Sequence, residues 1–230
     1  MSQNLQSRYA PAGTAIGSSH RVMRNTYWLL ALSMLPTIAG AWLGVQLNFS
    51  FFSASPMIGF AIFMAIAFGF FYAIEKTKDS GLGVLVLLGF TFFMGLMLSR
   101  LIERTLQFSN GSSLIIMAFA GTAVVFGVMA TIATVSKRDF SGMGKWLFAG
   151  LIVILVASVA NIFLHIPALY LTISVIAIAI FSAYLLYDVQ KVINGGETNY
   201  IRATLSIYLD VYNIFANLLS LLGVFGGNRN

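Results

Sequence analysis

Long apolar runs separated by short polar breaks organise this chain. Runs long enough to cross about 30 Å of hydrocarbon as helices, roughly 20 residues each, lie at about 26–47, 56–74, 82–99, 113–135, 146–164, 168–190 and 203–224. The pattern predicts an all-α polytopic membrane protein with seven transmembrane helices over residues 25–225, preceded by a polar tail at 1–24 that is expected to be disordered. The narrowest division is His165-Ile166-Pro167, between the fifth and sixth runs. Pro167 fits the first turn of a helix, where its missing N–H costs nothing, and one span of more than ~40 residues is physically excluded. The first run is too long for a signal-peptide core and has no obvious cleavage site, so it is read as an uncleaved span.

The polar breaks set the expected orientation. Ten of the thirteen Lys and Arg fall on one side: three in the tail (Arg8, Arg21, Arg24), two at 75–80, three at 137–145 and two at 191–202. The other side holds Arg100, Arg104 and Arg229. By the positive-inside rule this places the N-terminus in the cytoplasm and the C-terminus outside. The formal charge of +6 is therefore topology-setting charge scattered over short loops, and it forms no nucleic-acid patch.

Two carboxylates interrupt the apolar pattern. Asp188 and Asp210 stand eleven residues before and after Asn199 in the break between the sixth and seventh runs. If those runs are antiparallel helices, the two acids lie at similar depth and can meet. An ionisable group inside a span costs on the order of 2.5 to 3.5 kcal/mol by insertion scales, which makes it a candidate functional site. Two carboxylates ~4 Å apart at a dielectric near 20 repel by about 4 kcal/mol, so the pair is expected to share one proton and titrate as a unit. Fully ionised, the same oxygens suit a hard cation such as calcium. The pair is thus a candidate pH sensor or gate and a candidate transient calcium site.

On the seventh run, Ser206, Asp210, Asn213, Asn217 and Ser220 recur at spacings of 4, 3, 4 and 3, which puts them on one helical face. Such a stripe avoids lipid. It either lines a water-accessible conduit or its plug, or forms a polar packing seam. Tyr184, Tyr187, Tyr208 and Tyr212 are expected as interfacial anchors, with hydroxyl bonds to the acids as the other reading. Gly121, Gly127, Gly150 and Gly223 are expected at close helix contacts. Asn161 is expected to make an interhelical hydrogen bond, and His165 to be an interfacial loop residue.

Composition removes most chemistry. With 59% hydrophobic and 9% charged residues and no cysteine, the chain offers no disulfide, thiol nucleophile or thiolate metal site. It also lacks a phosphate loop, a His-Glu-x-x-His helix and a Gly-x-Ser-x-Gly elbow, so no cofactor is expected and the chain is not expected to be an enzyme. An intramembrane aspartyl protease of the presenilin-like type would use Tyr187-Asp188 and Asp210. Its Gly-x-Gly-Asp motif is replaced here by Ile207-Tyr208-Leu209-Asp210, and Pro167-Ala168-Leu169 precedes the sixth run when that motif should follow the seventh.

Several segments resemble the transmembrane Bax inhibitor motif (Bax inhibitor-1) family over nearly the whole chain. Arg24-Asn25-Thr26-Tyr27 opens the first run, and the stretch from Ala118 through Thr122-Ala123-Val124-Val125-Phe126 is similar to the family signature. Ala160 to Leu164 before Pro167-Ala168-Leu169, and Gly195 to Thr204 before Tyr212-Asn213-Ile214-Phe215, resemble the bacterial YccA-like branch. The resemblance implies a seven-helix fold with the last helix at the centre. It also implies a calcium leak gated by a pH-sensitive aspartate pair, for which Asp188 and Asp210 are the matching positions. Bacterial relatives are connected with a membrane-anchored, ATP-dependent protease as inhibitors or substrates. The family's second-helix arginine has no counterpart, because residues 57–72 carry no charge, and its Gly-Pro near the end of the third helix reads Ser99-Arg100.

These readings together predict a pH-sensitive calcium (cation) leak channel or transporter of a bacterial inner membrane. Its expected partners are the lipid bilayer, calcium ions and protons. The alternative is a binding modulator of a membrane-anchored ATP-dependent protease. The tail separates the two, since a modulator needs it as a handle and a leak does not.

Overall fold

Seven helices follow one another in a computed structural model that describes residues 12–49 and 56–228. They are α1 (Ala12–Gln46), α2 (Pro56–Thr77), α3 (Gly81–Leu106), α4 (Gly111–Val135), α5 (Gly144–Leu164), α6 (Pro167–Ile193) and α7 (Tyr200–Gly226). Each contains a stretch long and apolar enough to span a membrane. Hydrocarbon offers no partner for backbone N–H and C=O groups, so continuous helices are the form such segments must take. Residues 1–11 of the tail, with Arg8, and Arg229 of the charge count lie outside the described residues.

Two boundaries differ from the hydropathy reading. Helix α1 begins at Ala12, so residues 12–24 extend the first span as helix where disorder was expected. Helix α3 runs on to Leu106, past Arg100, Glu103 and Arg104. An ion pair between Arg100 and Glu103 at 3.0 Å, one helical turn apart, supports that extension. Hydropathy sees only the apolar part of a helix, and both extensions are polar. Pro167 stands in the first turn of α6 as expected.

Helix α7 is the hub, packing against α1, α2, α3, α4 and α6, while α5 rests on α6. Its central residues Ile207, Tyr208 and Ile214 are fully buried together with Leu87 and Phe90 of α3 and Leu185 and Val189 of α6. The tightest pairing is α1 against α3. A Cβ added at Gly40 would run into the carbonyl oxygen of Phe92, one at Gly95 into that of Thr37, and one at Gly44 into the side chain of Ser99. Gly40 and Gly44 thus form a small-xxx-small seam, which lets backbones approach closely where no hydrophobic force draws helices together. Of the glycines expected at close contacts, a Cβ added at Gly150 would fall 2.7 Å from the Ile180 side chain, one at Gly121 or Gly223 would make ordinary contacts at 3.4 and 3.7 Å, and one at Gly127 would meet nothing within 4 Å.

The loops joining α2 to α3, α4 to α5 and α6 to α7 gather at one end. There Asn199 caps α7 by accepting from the N–H groups of Ile201 and Arg202. Its amide donates to Lys78 O at 3.0 Å and Asp79 Oδ1 at 2.9 Å, stapling the loop before α7 to the loop before α3. Arg202 reaches Glu75 at 3.7 Å and Glu197 at 3.4 Å. Gln190, buried near the end of α6, accepts from Phe140 N and donates to Arg138 O, both at 2.7 Å. Asp139 in the same loop accepts from the Ser141 backbone and hydroxyl, and these bonds hold its carboxyl below the usual carboxylate range. At the opposite end Asn110, before α4, donates to Gly226 O at 2.7 Å and accepts from Asn228 N at 3.0 Å, pinning the end of α7.

Candidate functional site

Asp188 and Asp210 come together where α6 and α7 pack near the loop-rich end. Asp188 stands in the last two turns of α6, and Asp210 about three turns into α7. The chain between them folds back so that Gly196 N and Glu197 N both donate to Lys191 O, at 2.8 and 3.2 Å. This return lets carboxylates at unequal distances from their helix ends meet. The two carboxyl groups lie within hydrogen-bonding reach of each other, and Lys191 and Glu197 are close enough to add their charge at Asp188. Asp210 is only 4% exposed, Asp188 is half-buried, and Oδ2 of Asp210 is fully enclosed with no hydrogen-bond donor.

What such a pair can do follows from carboxylate chemistry. Alone, each oxygen only accepts; a single proton between the groups turns one of them into a donor and removes their repulsion. Among the described residues, no three Asp, Glu, His or Cys side chains cluster as a metal site. A calcium ion at the pair would therefore take two carboxylates from the protein. Backbone carbonyls and water would supply the rest of its six to eight oxygens.

The polar stripe continues from Asp210 toward the opposite end. Asn213 donates to Leu209 O and Asn217 to Asn213 O, each at 2.8 Å and within α7, while Ser220 accepts from the Tyr170 hydroxyl at 2.9 Å. Ser206, Asn213, Asn217 and Ser220 are all half-buried. A crevice of about 470 Å³ reaches Asn217, lined also by Phe60 of α2, Ser158 and Asn161 of α5, and Tyr170 and Ser174 of α6.

Several other expectations change. Tyr208 and Tyr212 are core residues and do not anchor at the interface: Tyr208 meets Thr37 Oγ1 at 2.8 Å and Thr91 O at 3.4 Å, and Tyr212 donates to Met94 O at 3.2 Å. Their hydroxyls thus serve α1 and α3, and the carboxylates receive none of them. Tyr184 and Tyr187 are half-buried; Tyr184 lies within electrostatic range of both acids, while the Tyr187 ring faces Gly144 at the start of α5. The Asn161 side chain accepts from Ile166 N at 3.0 Å, so it fastens the turn between α5 and α6 instead of joining two helix bodies. His165 is an exposed loop residue, and it ends α5 in the left-handed conformation with φ 50°.

The sequence reading missed the polar core formed by Thr37, Thr91 and Tyr208. A signal for it existed in the four-residue recurrence of Ser33, Thr37, Ala41 and Val45 beside Gly40 and Gly44, which marks a small-residue face on α1. The hydroxyls of Ser33 and Thr37 bond back to carbonyls one turn earlier, at 2.7 and 2.9 Å. That self-satisfaction is why such residues do not stand out on a hydropathy plot.

Residues 19–228 match the family described as "Inhibitor of apoptosis-promoting Bax1". An uncharacterized protein of Neisseria meningitidis is 39% identical over 207 residues, covering 89% of this chain and 91% of its own length. The Escherichia coli protein named "Modulator of FtsH protease YccA" is 38% identical over 210 residues, covering 91% of this chain and 93% of its own length. The same protein in another Escherichia coli strain is named "Inner membrane protein YccA".

Proposed function

This chain belongs to the Bax inhibitor-1 family, and from that premise we propose that it is a non-catalytic, multi-pass inner-membrane protein that modulates a membrane-anchored protease of the FtsH type. The observation that carries this reading is the 38% identity, over 91% of the chain, to a protein named as a modulator of that protease. A modulator needs a rigid body in the same bilayer and a surface for the protease; it needs neither nucleophile nor cofactor. The stapled loops and the tight α1–α3 seam supply the rigid body.

The test is turnover of a known membrane substrate of the protease in cells with and without this protein. Accumulation of the substrate when the protein is overproduced supports modulation, and unchanged turnover over the full expression range rejects it. Removing residues 2–11 asks whether the tail is the handle by which the protease takes hold of the protein.

A second reading is favoured by one specific observation, the contact between Asp188 and the enclosed Asp210. Here the pair holds a proton, gates a path along Asn213 and Asn217, and passes calcium when it opens. Orientation follows the charge count, with the loop-rich end in the cytoplasm, so the pair responds to cytoplasmic pH. Calcium flux into liposomes holding the purified protein, measured at several pH values, tests this reading; no flux above empty liposomes at any pH ends it.

A further inference from the structure

Between α4 and α5 the chain makes a short excursion that begins and ends at the membrane surface. Val135, the last residue of α4, is 74% exposed, and Trp146, in the first turn of α5, is 82% exposed. Tryptophan at the end of a span sits at headgroup level, with its ring toward the acyl chains and its N–H toward water. Lys137, Arg138 and Lys145 fall within nine residues on this stretch, and all three are exposed. Among the described residues none of the three pairs with a carboxylate. The one acid of the loop, Asp139, is held by the Ser141 N–H and hydroxyl, each at 2.9 Å.

Other cations of the loop-rich end are answered within the protein. Lys78 pairs with Glu75, Arg202 lies between Glu75 and Glu197, and Lys76 stands over the Tyr72 ring. Geometry also separates the α4–α5 loop from charge that only sets topology. Gln190 accepts from Phe140 N and donates to Arg138 O, both at 2.7 Å, so the backbone on either side of Asp139 is fixed. Met143 N bonds to Phe140 O at 2.9 Å in a tight turn that leads straight into α5. Lys191 lines a small polar cavity with Asp139 and Ser141, which places a fourth cation at the base of the loop. Topology needs charge alone, whereas gripping one anion needs that charge held in place. An acidic protein segment or a free phosphate would meet the cations and leave Trp146 and Val135 unmatched. An anionic phospholipid meets both, because its phosphate and its acyl chains belong to one molecule.

We propose that the α4–α5 loop is a binding site for an anionic phospholipid, its phosphate held by Lys137, Arg138 and Lys145 and its acyl chains against Trp146. This goes beyond both functional readings and needs neither the protease nor a calcium path. Through Gln190, two residues after Asp188, a headgroup held on the loop also steadies the end of α6 that carries the acid.

The test uses the purified full chain in phosphatidylcholine bilayers. A fixed minor fraction of the lipid carries bromine on its acyl chains, as phosphatidylglycerol in one series and phosphatidylcholine in the other. Trp28→Phe with Trp42→Phe leaves Trp146 as the single tryptophan, and Trp42→Phe with Trp146→Phe leaves Trp28. Relative binding read from the quenching of Trp146 is expected to favour phosphatidylglycerol about five-fold or more, since each cation near an anionic surface is worth about that factor. The preference should shrink in ~1 M sodium chloride, where the Debye length is about 3 Å. Lys137→Gln, Arg138→Gln and Lys145→Gln together are expected to abolish it, while Lys137→Arg with Lys145→Arg keeps the charge and retains it. Equal quenching by the two lipids with all three cations in place, or a preference that survives their loss, would overturn the inference. An equal preference at Trp28, beside Arg21 and Arg24, would reduce the loop to the general attraction of basic interfaces and overturn it too. Loss of the preference on adding inorganic phosphate, but not chloride at the same ionic strength, would mark a site for the free anion and reject the lipid.

Discussion

Tyr208 and Thr37 meet hydroxyl to hydroxyl at 2.8 Å in the interior of the bundle, joining the hub helix α7 to α1 just after Pro36. Both are buried, Tyr208 at 1% exposure, and the Tyr208 ring packs edge-on against Phe90. The pair places a polar bond at a point where α1 lacks one backbone hydrogen bond of its own.

Tyr208→Phe removes that bond but keeps the ring. A membrane interhelical hydrogen bond is worth about 0.6 kcal/mol on average and at most ~1.7, so a small fall in melting temperature in detergent is expected. Tyr208→Ala also empties a ring-sized space and should cost about 3–5 kcal/mol. Equal melting temperatures for the two variants would show that the ring does not pack as described.

Gly95→Ala and Gly127→Ala should diverge sharply although the substitution is the same. The new methyl at 95 strikes the Thr37 carbonyl, and overpacking of this kind costs about 1–3 kcal/mol or more. At 127 it meets nothing within 4 Å, and removing a mid-helix glycine is worth up to about 1 kcal/mol in favour of the helix. Thermal unfolding of the two purified variants, side by side with the parent, checks the sign of each.

Asp188→Asn and Asp210→Asn should each flatten any pH dependence of flux or conformation. Two ionised carboxylates at ~4 Å repel by about 4 kcal/mol at a dielectric near 20, so the α6–α7 contact is expected to loosen as pH rises and the shared proton leaves. An amide at either position cannot ionise and removes the repulsion. The readout is the distance between spin labels on α6 and α7, or flux, from pH 5 to 9; profiles identical to the parent in both variants would remove the pair from the mechanism.

Asn199→Ala should destabilise the loop-rich end more than Glu75→Ala. Losing an N-cap costs about 0.5–2 kcal/mol, and here the bonds to Lys78 and Asp79 go with it. Glu75 is more than half exposed in its pairs with Lys78 and Arg202, and exposed pairs contribute little. Hydrogen exchange of residues 78–82 and 199–203 should rise in the first variant and hardly change in the second.

Orientation is tested directly. A reporter that is active only outside the cytoplasm, fused after Asn230, should be active, and a tag before Ser2 should be protected from external protease in intact cells. The opposite pattern would put the acid pair under the control of external pH.

How much was legible in the sequence depended on whether the relevant physics is local. Membrane insertion acts on each segment separately, so apolar run length and the Lys and Arg bias were enough to define seven spans and the Pro167 division. The Asp188 and Asp210 meeting was also legible, because only a six-residue turn separates two antiparallel helices. The stripe from Ser206 to Ser220 was readable as a face for the same reason, since helical period alone generates it.

What that face touches was decided by the tertiary structure. Tyr208 and Tyr212 looked like interfacial anchors because tyrosine is common there, and only the approach of α1 and α3 gave their hydroxyls partners inside. Gly40, Gly44 and Gly95 carry the close contacts between α1 and α3, whereas a Cβ added at Gly127 would meet nothing within 4 Å; composition treats them alike, and the difference lies in which neighbour comes near. Asn199 shows the same division. Its capping role is local, but its bonds to Lys78 and Asp79 span some 120 residues and exist only because three loops gather at one end. In a protein whose helices are apolar nearly all round, hydropathy says that a segment is buried in lipid or protein, and packing alone determines which.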